Sequence, residues 1–218
     1  MWGGSDEAFR CKRDQTFAQA EAECNCIAAG LQALGVQAGD RVCFYLDSGI
    51  ETVLLALATN KLGAVWVPIN TDYKGAWLSD TLQRSRARVL VTEVALQDRV
   101  EAVSEALSGE KLVVLGADDQ IRLPGAISFA ALGDHAPITP DYTGMDYGDT
   151  CAVLWTSGTT GKPKGALHGH RMLTGHLPGV SISHDHLGQP GDCLWTPADW
   201  AWIGGLFDVA MPGLALGV

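Results

Sequence analysis

The stretch Arg41-Val42-Cys43-Phe44-Tyr45-Leu46-Asp47-Ser48-Gly49-Ile50-Glu51-Thr52-Val53-Leu54-Leu55-Ala56-Leu57-Ala58-Thr59-Asn60-Lys61-Leu62-Gly63-Ala64-Val65-Trp66-Val67-Pro68-Ile69 decides the fold. Its first part, 41–46, is a short β-branched and aromatic run and predicts a strand. A Leu- and Ala-rich helix follows over 50–61, and a second strand over 64–69 is closed at Pro68. That is a βαβ unit. The alternation repeats on the C-terminal side as helix 77–85, strand 88–92, helix 95–107 and strand 111–115. On the N-terminal side, Phe17, Ala20, Cys24, Ile27 and Leu31 recur every three or four residues, which predicts an amphipathic helix over 16–34 with Gly35 as its stop. The order implies an α/β fold, with layered, largely parallel sheets flanked by helices. Strand order is not readable at this level. Residues 116–148 dissolve into Pro, Gly and Asp with one weak apolar cluster at 127–132, and are expected to be a connecting region.

The bulk composition agrees with a globular domain: 218 residues, 47% apolar and 18% charged. A formal charge of -10 argues against a sequence-independent grip on nucleic acid, which needs a surplus of Lys and Arg at the contact. The N-terminus lacks the basic start and apolar stretch of a secretory signal. The longest weakly charged segment, 203–218, is too short to span a bilayer and carries Asp208 and Pro212. A cytoplasmic protein without a membrane span is expected. The cysteines at 11, 24, 26, 43, 151 and 193 form no CxxC pair and are expected to be reduced thiols. Cys24 and Cys26 fall on nearly opposite faces of their helix, so they should not share a metal. The apolar ending 212–218, with no polar cap, reads as that of a truncated chain.

The chemistry is concentrated in 151–165. Cys151-Ala152-Val153-Leu154-Trp155 has the pattern of a buried strand and runs into Thr156-Ser157-Gly158-Thr159-Thr160-Gly161-Lys162-Pro163-Lys164-Gly165. Gly158, Gly161 and Gly165 permit the backbone conformations and close approaches through which successive N–H groups converge on an anion. Thr156, Ser157, Thr159 and Thr160 add hydroxyl donors. Lys162 and Lys164 add charge, each worth about 4 kcal/mol against a unit charge at 4 Å and an effective dielectric near 20, before desolvation is subtracted. The spacing differs from the P-loop of the familiar NTPases, which has four residues between its glycines and then Lys followed by Ser or Thr. A helix is expected to begin near His168.

The run 156–165 resembles the signature of the adenylate-forming superfamily, which includes acyl-CoA synthetases, the adenylation domains of peptide synthetases and firefly-type luciferases. Thr16-Phe17-Ala18-Gln19-Ala20 is similar to the family's Thr-Tyr-x-Glu-Leu helix start, without its Glu. Lys61 through Asn70 is similar to its second core motif, and the extension Thr71-Asp72-Tyr73-Lys74-Gly75 looks most like that of acyl-CoA ligases. Trp195-Thr196-Pro197-Ala198-Asp199-Trp200-Ala201-Trp202-Ile203-Gly204-Gly205 resembles the acyl-pocket segment of acetyl- and medium-chain acyl-CoA synthetases, with Gly204 where many members have Thr.

The resemblance implies a two-step reaction on ATP, Mg2+, coenzyme A and a small-molecule carboxylic acid. The carboxylate attacks the α-phosphate to give an acyl-adenylate and pyrophosphate, and the thiol then displaces AMP. By matching positions, Thr156, Ser157, Gly158, Thr159, Thr160, Gly161, Lys162 and Lys164 would hold the phosphates, with Lys164 as the catalytic charge. His168, His170, Trp200, Trp202 and Gly204 would line the substrate pocket. The chain would be a partial N-terminal AMP-binding domain over 1–218, without the family's later motifs and mobile C-terminal domain, and impaired in adenylation by itself. Two other readings remain open: an amino-acid adenylation domain of a peptide synthetase, and a non-catalytic nucleotide-binding fragment.

His184-Asp185-His186 stands in a Gly- and Pro-bounded segment without further ligands at recognised spacing, so a solvated loop is expected and no metal site is assigned. Asp199 and Asp208 are isolated carboxylates beside an apolar segment. A buried one would need a partner or a shifted pKa, and the sequence names no partner.

Overall fold

The computed structural model describes residues 15–156 and 163–218. Strands β1 (Arg41–Tyr45), β2 (Val65–Pro68), β3 (Val89–Glu93), β4 (Lys111–Leu115), β5 (Ile127–Ser128), β6 (Thr150–Thr156) and β7 (Lys164–Gly169) form a sheet in the order β5-β4-β3-β1-β2-β6-β7. All neighbouring pairs are parallel except β6 and β7. The helices are α1 (Phe17–Ala33), α2 (Ile50–Lys61), α3 (Ala76–Ser85), α4 (Gln97–Glu101), α5 (Phe129–Gly133), α6 (Arg171–Ser183), α7 (Ile203–Gly205) and α8 (Met211–Leu216), with a π-helical stretch Leu206–Ala210 between the last two. The expected mixed, largely parallel architecture is therefore present.

The chain leaves β1 toward one edge of the sheet, to β2, and leaves β2 toward the other, to β3. Right-handed crossovers taken in opposite directions place α2 and α3 on opposite faces. Strand alternation divides the core to match. Val42, Phe44, Trp66 and Val91 pack with residues of α1 and α2, while Cys43, Tyr45, Val67 and Leu90 pack with Leu78 and Leu82 of α3 and Val100 of α4. Both faces are covered, which is why these strands read as continuous apolar runs.

α1 starts on a reciprocal cap: Thr16 Oγ1 accepts from the Gln19 amide at 3.2 Å, and Gln19 Oε1 accepts from the Thr16 amide at 2.8 Å. Gln19 thus does the work of the glutamate that the family start would have. Gly30 permits α1 to meet α5, because a Cβ there would lie 2.0 Å from the Leu132 carbonyl oxygen.

Three expectations are corrected. The helix expected over 95–107 is broken into a 3-10 turn at Val94–Leu96, the short α4 and a second 3-10 turn at Ser104–Ala106. Its buried residues Val100, Val103 and Ala106 recur every third position, the period of a 3-10 helix. Buried Gln97 also draws the segment to the next connection, accepting from the Arg122 amide at 2.7 Å and donating to the Gln120 carbonyl at 2.9 Å. The connecting region contains β5 and α5, with Ser128 Oγ capping α5 by accepting from the Ala131 amide at 3.1 Å. The helix expected near His168 begins slightly later, at Arg171. β7 runs on to Gly169, completing an antiparallel ladder on β6.

Candidate functional site

In open α/β sheets, ligands bind beyond the carboxyl ends of the strands. The neighbouring strands β1 and β2 end at Tyr45 and Pro68 and lead into Asp47-Ser48 and Asn70-Thr71-Asp72, and β6 ends at Thr156. Thr156 and Lys164 face each other in register at the base of the β6–β7 hairpin, and the Thr156 hydroxyl donates to the Lys164 carbonyl at 3.3 Å. Ser157, Gly158, Thr159, Thr160, Gly161 and Lys162 lie outside the described residues.

Gly165 makes a close approach within the β6–β7 ladder. A Cβ at this position would come 2.8 Å from Val153 Cγ1 and 3.8 Å from the Trp155 ring. Arg84, on α3, stands beside the same hairpin. Its guanidinium lies 4.9 Å from the centre of the Trp155 ring, and Nη1 donates to the Pro163 carbonyl at 2.5 Å and to Asp80 Oδ2 at 3.1 Å.

The turn after β2 is heavily restrained. Asn70 Oδ1 accepts from the Asp72 amide at 2.7 Å, and the Tyr45 hydroxyl donates to the Tyr73 carbonyl at 2.6 Å. Arg99 donates to the Thr71 carbonyl. Burial pushes the Tyr45 phenol above its ordinary pKa, while the bond to Tyr45 raises Arg99, so both keep their protons. The turn in turn holds the aromatic segment. The Thr71 amide donates to Asp199 Oδ2 at 3.4 Å, the Ala201 amide donates to Asp199 Oδ1 at 2.7 Å, and the Trp200 amide donates to Ser48 Oγ at 3.0 Å. Partial burial pushes the Asp199 carboxyl above the usual carboxylate range, with Asp47 and Asp72 adding to the shift against the two amides. Trp200 packs against the core on the α1/α2 face, whereas Trp202 is 39% exposed.

Asp208 has the partner its sequence context did not reveal: His176 Nδ1 on α6, at 2.8 Å. Among the expected pocket residues, the two histidines part company. His168 pairs with Ala152 across the ladder, and burial followed by the charge of His176 lowers its pKa. Gly204 is near this group, since a Cβ there would meet only Asp208 Oδ2, at 3.9 Å. His170 does not join them. β7 runs antiparallel to β6, so it carries His170 to the amino-terminal end of β6, where its amide donates to the Asp149 carbonyl at 3.2 Å. There it lines a cavity of about 960 Å3 with Arg41, Lys61, Val65, Asp141 and Thr150, at the opposite end of the strands from Thr156. The expectation that His170 shares a pocket with Trp200 and Trp202 is corrected on strand direction alone.

Ser48, Arg84 and His176 were missed because each acts through a partner far away in sequence. Only the unpaired carboxylates at 199 and 208 signalled that such partners had to exist. Asp185 and His186 both have positive φ, in a turn after α6, and the described residues hold no group of three or more His, Cys, Asp or Glu that could hold a metal ion. No helix among them is long and apolar enough to cross a membrane.

A model of the AMP-binding enzyme family matches residues 3–218. The acetyl-coenzyme A synthetase of Methanothrix thermoacetophila is 32% identical over 93% of this chain and 32% of its own. Among solved structures, the anthranilate CoA ligase AuaEII in complex with anthranoyl-AMP superimposes with a TM-score of 0.79 at 26% identity, over 94% of this chain and 39% of that one. ATP-bound MatB from Rhodopseudomonas palustris superimposes with a TM-score of 0.73 at 26% identity, over 92% and 38%. The chain thus spans about a third of the length of the curated relatives it matches.

Proposed function

We propose that this chain, which belongs to the AMP-binding enzyme family, carries the phosphate-gripping part of an AMP-forming acyl-CoA synthetase that activates a small carboxylic acid with ATP and passes it to coenzyme A. One observation carries the reading. A hydroxyl-, glycine- and lysine-rich run joins two paired strands at the carboxyl edge of a parallel sheet, with Thr156 and Lys164 opposite each other at its base. Displacement at a phosphate is served mainly by positioning and by charge stabilisation, and this run supplies both. Lys164 is the charge that meets pyrophosphate as it leaves. Thr156 and the residues through Lys162 donate to the phosphate oxygens.

The aromatic segment held by Asp199 and Ser48 follows β1 and β2 at the same edge and would form the acyl wall, with Trp200 packed in place and Gly204 leaving room beside Asp208. Mg2+ would arrive with the phosphates, which bind it directly. The described residues offer it no cage of their own, and no step here is routed through it.

Titration of the 218-residue chain with Mg-ATP and with inorganic pyrophosphate tests the reading. Both should bind, and Lys164→Ala should weaken both by about tenfold or more. Absence of binding, or binding indifferent to Lys164→Ala, overturns it. ATP–pyrophosphate exchange by the full-length synthetase with acetate, medium-chain acids and amino acids separates the acid class. Exchange with a plain acid supports the synthetase, and exchange with an amino acid alone supports a peptide-synthetase adenylation domain.

A further inference from the structure

We infer that Arg84 is a positioning residue for the phosphate run, tying both strands of the β6–β7 hairpin to α3 and so setting where Thr156 and Lys164 stand. The inference rests on the functional reading above. Arg84 touches the hairpin on both sides: its Cζ lies over the Trp155 ring, on the residue before Thr156, and its Nη1 donates to the carbonyl of Pro163, the residue before Lys164. Trp155 is opposite Gly165 and Thr156 is opposite Lys164, so the two contacts bracket the base of the run. Gly165 belongs to the same arrangement, because its missing side chain leaves room for Val153 and the Trp155 ring.

The guanidinium is also bonded to Asp80, one helical turn earlier at i,i+4, so α3 as well as the hairpin holds it. Arg84 is substantially exposed, and surface ion pairs contribute little to stability. Removing Arg84 should therefore leave the fold standing and disturb the hairpin base selectively. Arginine is required for this role, because lysine keeps the charge but has no planar face for the indole and cannot aim several donors at once.

Hydrogen exchange on the 218-residue chain reads the consequence. In Arg84→Gln and Arg84→Lys, amides of Thr156 and of Lys164 through Ala166 should exchange about tenfold faster, while those of β1, β3 and β4 and the melting temperature stay near wild type. Pyrophosphate affinity should fall about fivefold or more in both variants, without rescue by lysine. Hairpin amides unchanged in both variants, or a rise shared equally by β3 and β4, would overturn the inference, the second by making Arg84 a general stabiliser. If wild type binds no pyrophosphate, the functional reading fails while the exchange pattern still decides the role of Arg84.

Discussion

Trp66 on β2 and Phe207 in the π-helical stretch stack with ring centroids 5.9 Å apart and planes 23° from parallel. Trp66 also stacks on Phe44 of β1 at 6.1 Å and 13°. Trp66 is 1% and Phe207 3% exposed, so this column belongs to the core. It anchors the segment bearing Trp200, Trp202 and Gly204 to the strand that leads into Asn70.

Phe207→Ala should therefore cost about 3–5 kcal/mol, the range for deleting a buried aromatic side chain and leaving a cavity. Urea unfolding checks this. A loss below about 1 kcal/mol would mean that the stretch 206–210 is not packed on the sheet as described.

Gly165→Ala should destabilise the hairpin by about 1–3 kcal/mol through overpacking against Val153, since the neighbour is a stiff β-branched side chain on a central strand. Thermal melting reads the loss, and pyrophosphate titration reads whether the run is displaced with it. A variant as stable as wild type that binds pyrophosphate equally well would contradict the close approach.

Asp199 gives a pH dependence with a definite sign. Its folded pKa is raised, chiefly by burial, so between the unfolded and folded values the native state binds more proton than the unfolded chain. Its contribution to stability is complete below the ordinary carboxylate value and is lost as pH rises through the folded value. Relative to Asp199→Asn, wild type should lose stability from about pH 4 upward through that window. Urea midpoints of both proteins from about pH 4 to 7 measure this, and a constant difference between them would refute it.

Burial pushes the Cys24 and Cys151 thiols up to about 11 and the Cys43 thiol up to about 12. All three should remain neutral and unreactive at about pH 8, whereas exposed Cys193 should be alkylated readily. Iodoacetamide labelling followed by peptide mass mapping should find Cys24, Cys43 and Cys151 modified only after denaturation. Rapid labelling of any of them in the native protein would show that its segment opens locally.

The sequence by itself determined the βαβ alternation, because an apolar run between glycines and prolines has few ways to bury itself. The bounds of α2 and β4 match its periodicity. It also made legible the run proposed to hold phosphate, because its hydroxyls, glycines and lysines are neighbours along the chain. Tertiary structure decided everything that depends on strand order and direction. The antiparallel course of β7 separates His168 from His170, and the adjacency of β1, β2 and β6 brings Ser48 and Thr71 to the segment at 199–201. Asp199 and Asp208 could be recognised in sequence as carboxylates in need of partners, but the Thr71 amide and His176 lie 128 and 32 residues away. Hydrogen bonds of that span carry no local pattern, because they form only after the sheet has closed the distance.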